Sequence, residues 1–225
     1  MAVITASELT GFVKDAVVAR WGYVYGGQGH LYTEELARKW AEQGRAGKSA
    51  DYFLKDCARW FGRTVVDCSG LLVEAFRSKD KNYYDRTANT FRAQAVDRGA
   101  IHTIPQTSGL GVWRRGHIGL YVGNSRVIEA GGTRIGVVES SLSKTATGKP
   151  WTEWLQLRDV DYDRVPIPAE PDECAFVLKR LLKLRTPYMR GDDVREVQDA
   201  LMARRYDIGG TGADGIYGPN TTRGV

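Results

Sequence analysis

Residues 65–76 read VVDCSGLLVEAF, and this stretch decides how the longer part of the chain folds. The β-branched pair before Asp67 is typical of a strand, and the apolar spacing over 69–78 predicts a helix that starts directly after Cys68. A cysteine at a helix N-terminus faces free backbone N–H groups and the positive end of the helix dipole, which favour the nucleophilic thiolate. Because buried, inert cysteines are common, Cys68 alone is only a candidate nucleophile.

Helices are predicted on both sides of this junction. The first is marked by apolar residues from Leu9 to Val17, with Ser7 as its candidate N-cap. Three further helices, each followed by a glycine, are predicted over 34–43, 50–61 and 87–98. Beyond residue 110 the apolar residues alternate, which predicts an antiparallel meander over 117–123, 126–130 and 136–140. Helices followed by a meander predict the α+β class.

A nucleophile needs a base, and His117 is the best placed of the three histidines, at the start of a predicted strand. Gly119 is expected to leave open space beside its imidazole. The base needs an acceptor that orients it, and Glu129 lies in the next strand. A connection of three or five residues puts Glu129 on the face of His117, whereas two or four residues put it on the other face. A solvated outer face is the alternative interpretation of Glu129.

Composition excludes several classes of protein. Of the 225 residues, 42% are hydrophobic and 26% charged, which is typical of globular chains. The formal charge of +5 suits an anionic partner. The sequence lacks the dense basic stripe that is typical of a nucleic-acid binder. The three cysteines have neither disulfide-framework nor zinc-ligand spacing, and Cys57 and Cys174 are predicted core residues. No apolar run is long enough to insert into a membrane.

A proline-rich stretch, PIPAEPDE at residues 166–173, is typical of a short, stiff linker. It predicts a first domain over 1–165 and a second over 174–225. The formal charges are +5 and +3 for the domains and −3 for the linker, so both domains are cationic.

Four motifs follow one another along the first domain: YVYGGQG at 23–29, DCSG at 67–70, GHIGLYVGN at 116–124 and VIEA at 127–130. Their order resembles that of the NlpC-type cell-wall cysteine peptidases. The resemblance implies a papain-like fold with helices on an antiparallel sheet, no cofactor and no metal. It implies Cys68 as nucleophile, His117 as base and Glu129, where the family often has histidine, as the orienting residue. It also implies that the substrate contacts Tyr23, Asp67 and Ser69.

Residues 30–62 are predicted to be a helical insertion relative to minimal family members. In the second domain two patterns resemble a peptidoglycan-binding module: Gly191, Asp193, Val194, Gln198 and Leu201, then Asp214, Gly215, Ile216, Tyr217, Gly218 and Thr221. The resemblance implies a small all-α wall-binding domain. The module normally continues past its final Gly-Val, so we expect it to be incomplete at Val225.

The implied activity is that of a cysteine endopeptidase that cuts the bond between D-γ-glutamate and the diamino acid of a peptidoglycan stem. An N-acetylmuramoyl-L-alanine amidase with the same residues and a non-catalytic wall-binding or phage structural protein stay open as alternatives. Residues 105–119 resemble phage-type lysins, and residues 1–22 lack a signal-peptide pattern. We therefore expect an endolysin, made in the cytoplasm, that reaches bacterial peptidoglycan after lysis or through a holin. The preferred diamino acid and the oligomeric state do not follow from the sequence.

Overall fold

The computed structural model describes residues 3–162, 180–203, 208 and 212–224. The chain divides into two compact units, Met1–Ile167 and Pro168–Val225. The predicted linker over 166–173 and the predicted core residue Cys174 lie outside the described residues. None of the helices in the described ranges is long and apolar enough to cross a membrane.

The larger unit consists of helices packed on strands that pair mainly in the antiparallel sense. Its α-helices are α1 Ala6–Val18, α2 Glu34–Glu42, α3 Cys68–Arg77 and α4 Ala88–Ala93. Its strands are β1 Ile4–Thr5, β2 Gly22–Tyr23, β3 Gln28–Tyr32, β4 Arg63–Val66, β5 Asp97–Ala100, β6 Gly111–Arg114, β7 His117–Gly123, β8 Arg126–Ala130, β9 Val137–Ser141, β10 Glu153–Gln156 and β11 Val160–Asp161. A six-stranded antiparallel sheet has the order β5-β10-β6-β7-β8-β9, and a three-stranded sheet has the order β2-β4-β3. The pairs β1–β11 and β2–β4 are parallel.

Side-chain caps explain where the helices begin. The Thr5 hydroxyl accepts from Glu8 N while the Glu8 carboxylate accepts from Thr5 N, so Thr5 rather than the predicted Ser7 caps α1. Asp67 caps α3 by accepting from Gly70 N at 2.7 Å. This cap starts the helix at Cys68 itself.

Two predicted helices are shorter than their patterns indicate. Over 50–61 the chain forms a π-helical turn, Tyr52–Asp56, and then a 3-10 turn, Ala58–Trp60. Over 87–98 only α4 is helical, because the chain after it forms β5 and pairs with β10 at the edge of the sheet. Strand pairing there overrides a local helical pattern.

The six-stranded sheet is buried on both faces. Ile118 and Leu120 belong to the main core, together with α1 and α3. Tyr121 and Val127 belong to a second core on the opposite face, with two tryptophans that follow β9. The predicted α+β class, with helices packed on an antiparallel sheet, is confirmed.

The predicted insertion over 30–62 builds a satellite core of its own, which contains Trp40, Phe53 and Cys57. Successive residues of β4 face different cores: Val65 belongs to the satellite core and Val66 to the main core. Because β4 ends directly before Asp67, the insertion lies beside the N-terminus of α3.

The resemblance implies an all-α second unit, but the structure also has strands there. Besides α5 Asp192–Ala203 and α6 Pro219–Gly224 it has an antiparallel pair, β12 Met189–Arg190 with β13 Ile216–Tyr217. Gln198, only 2% exposed, binds the loop before β13: its side-chain oxygen accepts from Gly215 N at 2.7 Å, and its Nε2 lies 3.0 Å from Thr221 Oγ1. These contacts order the loop so that β13 can pair with β12. They also give Gln198, Gly215 and Thr221 of the two sequence patterns a role in folding.

Two helical glycines should respond to alanine in opposite ways. A Cβ on Gly70 would lie 2.1 Å from the backbone oxygen of Gly27, whereas a Cβ on Gly11 meets nothing within 4 Å. We expect Gly70→Ala to lower the free energy of unfolding by about 2 kcal/mol or more, because backbone must move. Gly11→Ala should raise it by about 0.5–1 kcal/mol. Urea unfolding followed by circular dichroism measures both, and an unchanged midpoint for Gly70→Ala would contradict this packing.

Candidate active site

Cys68, the first residue of α3, is held against the start of β7. Its side chain is buried, with 9% of the residue exposed, and Sγ lies 3.9 Å from Gly116 O. Gly116 N donates to Asn89 Oδ1 at 3.1 Å, which fixes the turn before β7. The thiol therefore lies beside the backbone that carries His117.

Burial raises the pKa of the Cys68 thiol to about 12, and the neighbouring Asp67 carboxylate adds to the rise. Backbone N–H groups of Ile118, Ser69 and Cys68 itself lower the pKa. The helix N-terminus thus acts in the direction expected from the sequence, but burial outweighs it. Because the thiol is protonated at neutral pH, a nucleophilic Cys68 requires a base close by.

His117 and Glu129 form a close pair on neighbouring strands. His117 Nε2 lies 2.6 Å from Glu129 Oε2, and the Glu129 side chain is 0% exposed. The other Glu129 oxygen accepts from the Ser140 hydroxyl at 2.5 Å and from Ala146 N at 2.7 Å. A buried carboxylate with three partners is held in one orientation and can stabilise a protonated imidazole. A solvated outer face for Glu129 is therefore wrong.

A β-bulge places Glu129 on the face of His117. Only residues 124–125 connect β7 and β8, and a regular ladder with a two-residue connection puts Glu129 on the opposite face. Instead, β7 carries one extra residue, Val122, at a break in the register of the ladder. The bulge shifts the pairing by one residue and restores the register of a three-residue connection.

The indole of Trp151 covers the imidazole of His117. The ring centroids are 5.4 Å apart and the ring planes differ by 14°. The expected open space beside Gly119 is absent, because a Cβ there would lie 2.8 Å from Val127 Cγ1 and 3.1 Å from Trp151 Cη2. Gly119 thus makes room for Trp151, which shields the His117–Glu129 pair from water.

The pairing assigns roles to the two ring nitrogens of His117. Because Nε2 faces Glu129, Nδ1 is the nitrogen that remains to accept the proton of the Cys68 thiol. Within the described residues no hydrogen bond joins Cys68 to His117, and such contacts often shorten only when substrate binds. The structure therefore pairs the imidazole and the carboxylate of the predicted set, and it places the Cys68 thiol against the backbone of Gly116, the residue before His117.

A cleft of about 490 Å³ opens onto Cys68. Asp67, Ser69, Asp85 and Arg86 are among the residues that line it. Arg45 and Ala46 also line the cleft, so the insertion over 30–62 forms one of its walls.

The three residues predicted to contact substrate differ in their surroundings. The Asp67 carboxylate already accepts from Gly70 N, from Gly26 N at 2.9 Å and from the Ser69 hydroxyl at 3.2 Å. Asp67 therefore ties the glycine loop after β2 to α3. Burial raises the pKa of the Tyr23 phenol, and Cys68 and Asp67 raise it further. Substrate contact by these residues stays a prediction.

Several residues that support the site lie outside the four sequence motifs. Ser140 reaches Glu129 from the neighbouring strand β9, whereas Ala146 and Trp151 reach the His117–Glu129 pair because the chain after β9 folds back over β8. Residues 85–89 line the cleft from the loop before α4 and from its first turn. A tryptophan after the polar run SKTATGKP was the one available signal, since a large aromatic residue in such a run needs a partner. The described residues contain no group of His, Cys, Asp and Glu that could hold a metal.

A thiol at a helix N-terminus and a buried imidazole–carboxylate pair on an antiparallel sheet define a cysteine peptidase of papain-like architecture. The NlpC/P60 family profile matches residues 21–156, which is more than half of the chain. The chain therefore belongs to the NlpC/P60 family, whose members are cysteine peptidases that hydrolyse peptidoglycan. The peptidoglycan hydrolase class implied by the four motifs is confirmed.

Several solved structures are similar to this chain. The peptidoglycan hydrolase RipB from Mycobacterium tuberculosis is 21% identical, over 70% of this chain and 67% of that one, with a TM-score of 0.41. The P60 domain of the antigen MAP1204 from M. avium subspecies paratuberculosis is 18% identical, over 70% and 98%, with a TM-score of 0.41. NlpC1 from Trichomonas vaginalis is 18% identical, over 68% and 44%, with a TM-score of 0.41. No curated protein matches the chain.

Proposed function

We propose that the protein hydrolyses the amide between D-γ-glutamate and the diamino acid of peptidoglycan stem peptides. The observation that carries this proposal is the buried His117–Glu129 pair on the sheet whose strand β7 starts next to the Cys68 thiol, which opens onto a cleft of about 490 Å³. Membership of the NlpC/P60 family supports peptidoglycan as the substrate. This bond is the one implied by the resemblance of the four sequence motifs to the NlpC-type peptidases.

In the acylation step, Cys68 Sγ attacks the scissile carbonyl carbon while its proton passes to His117 Nδ1. Glu129 stabilises the imidazolium that forms. Negative charge develops on the carbonyl oxygen, and the N–H of Cys68 is a candidate donor to it, because the first N–H groups of a helix have no intrahelical acceptor. The Tyr23 hydroxyl is a second candidate. His117 then protonates the departing amine of the diamino acid, and the glutamyl group remains on Sγ as a thioester.

In the deacylation step, water attacks the thioester and His117 Nδ1 accepts its proton. The tetrahedral intermediate releases the glutamate carboxylate, and the proton returns to Sγ. Trp151, stacked on the imidazole, keeps bulk water from the His117–Glu129 pair during both steps.

Mass spectrometry of purified peptidoglycan after digestion tests the proposal. New free amines on the diamino acid are expected. New free amines on L-Ala would favour an amidase that uses the same residues, and intact peptidoglycan would favour a non-catalytic wall-binding or phage structural protein.

We also propose that the second unit binds the wall. A cleft of about 250 Å³ in this unit is lined by Tyr188, Arg190 and Asn220, and Tyr188 is 46% exposed. An exposed aromatic ring beside a cation and an amide suits a polar ligand with apolar faces, as the sugars and peptides of peptidoglycan are.

Gln198→Ala should unfold the second unit and abolish its binding to sedimented cell walls. The substitution removes the buried acceptor of Gly215 N and a partner of Thr221, at a cost of about 2–4 kcal/mol, which is large for so small a unit. Cleavage of a soluble stem peptide should stay unchanged. Glu196→Ala, an exposed change on the same helix, is the control. Wild-type wall binding by Gln198→Ala would contradict this role.

We propose a role as an endolysin that reaches the wall after lysis or through a holin, on the basis of the resemblance of residues 105–119 to phage-type lysins. Co-expression with a holin in a bacterial cytoplasm should cause a fall in culture turbidity. An equal fall without the holin would argue against this route.

A further inference from the structure

Arg45 brings an ordered positive charge to the wall of the cleft that contains Cys68. Its Nη2 donates to Gly26 O at 2.9 Å, and its guanidinium carbon lies 4.4 Å from the centroid of the Trp40 ring. The hydrogen bond and the stacking fix the side chain before a ligand arrives, so binding costs little conformational entropy.

The charge of Arg45 is not balanced by an ion pair among the residues that the structure describes. Arg86, the other arginine of the cleft, differs: it is 3% exposed and pairs with Asp159 at 2.6 Å. A guanidinium has five N–H donors in a planar fork, and Gly26 O accepts from one side of it. The remaining donors fit the two oxygens of a carboxylate.

The proposed substrate carries such carboxylates on both sides of the bond that is cut. A γ-linked glutamate keeps its α-carboxylate free next to the scissile amide, and a diamino acid such as diaminopimelate carries a second carboxylate on its side chain. Amidation of either group removes its negative charge.

We infer that Arg45 binds a free carboxylate of the stem peptide and makes the enzyme select substrates in which this group is not amidated. The inference rests on the proposed function, because it assigns a specificity residue to the same cleft. Arg45 lies in the insertion over 30–62, so this insertion supplies substrate selection as well as a wall.

Three synthetic tripeptides test the inference through kcat/KM: L-Ala-γ-D-Glu-meso-diaminopimelate, its glutamate α-carboxamide and its diaminopimelate side-chain carboxamide. The wild-type enzyme should prefer the fully acidic peptide over one of the two amides by about ten-fold or more. The carboxamide peptide with the lower kcat/KM identifies the carboxylate that Arg45 binds. Arg45→Ala should reduce this preference to about two-fold or less, through a loss of rate on the acidic peptide, and Arg45→Lys should lie between them.

Arg38→Ala is the matched control, because Arg38 is an exposed arginine of the same insertion that pairs with Glu34; it should keep the wild-type preference. An unchanged preference in Arg45→Ala, or an equal loss on all three peptides, would overturn the inference, since Arg45 would then only support the loop at Gly26. A wild-type enzyme without preference would also overturn it. A wild-type enzyme that cuts none of the three peptides would instead refute the proposed bond specificity.

Discussion

Replacement of Cys68 by alanine is expected to lower the rate of peptidoglycan hydrolysis by at least about 10⁴-fold and to leave the fold intact. The reaction needs a sulfur nucleophile at the N-terminus of α3, and alanine cannot form the thioester. Alanine is the best helix former and is smaller than cysteine, so α3 should begin at the same residue. Turbidity of a peptidoglycan suspension and mass spectrometry of the released fragments measure the rate, and circular dichroism checks the fold.

Cys57→Ala is the matched control for this change. Cys57 is also buried, but it lies in the satellite core, and burial raises the pKa of its thiol to about 11. Its substitution should lower the free energy of unfolding by about 1 kcal/mol and leave kcat unchanged. Activity of Cys68→Ala within ten-fold of the wild type would exclude Cys68 as the nucleophile.

Glu129→Gln is expected to lower kcat by about 10²–10⁴-fold with little change in stability. The glutamine oxygen can still accept from Ser140 and Ala146, but its amide N–H then faces His117 Nε2. Nε2 must become an acceptor, so the ring proton moves to Nδ1. An imidazole protonated at Nδ1 cannot take the proton of Cys68, and the lost carboxylate charge no longer stabilises the imidazolium.

Glu139→Gln is the control, because Glu139 lies on β9 in an exposed ion pair with Arg126; its effect on kcat should be less than two-fold. Glu129→Ala should also lower the free energy of unfolding by about 2–4 kcal/mol, because it leaves buried donors at Ser140 and Ala146 without an acceptor. A wild-type kcat for Glu129→Gln, measured on a soluble stem peptide, would show that Glu129 does not orient His117.

The sequence carries enough information to predict the junction at Cys68 and the strands that follow it. A β-branched pair, an Asp cap and an apolar helix are local signals, and β4 and α3 form where they predict. The strand with His117 begins at that residue and shows the predicted alternation until Val122. These elements depend mainly on neighbours along the chain, which is why a single sequence reveals them.

Features that depend on distant parts of the chain could not be predicted. The bulge at Val122 is a property of two strands together, and Gly123 beside it, at φ 89°, is as typical of the turn that follows as of a bulge. Trp151 covers His117 because a long connection folds back over the sheet. From the sequence alone, Gly119 therefore indicates open space that Trp151 in fact fills. Arg45 reaches the cleft through stacking on Trp40 and a hydrogen bond to Gly26 O, two contacts that no motif indicates. Motifs thus locate the reacting groups, whereas their surroundings follow from tertiary packing.

The bulge at Val122 also imposes a rule of parity on the hairpin that joins β7 and β8. Adding or removing one residue in the 124–125 turn inverts the phase of β8, so that Ile128 or Ala130 would face His117 in place of Glu129. A change of two residues keeps the phase. Variation in the length of this exposed turn is therefore compatible with the site only in even steps, a constraint that its position at the surface does not reveal.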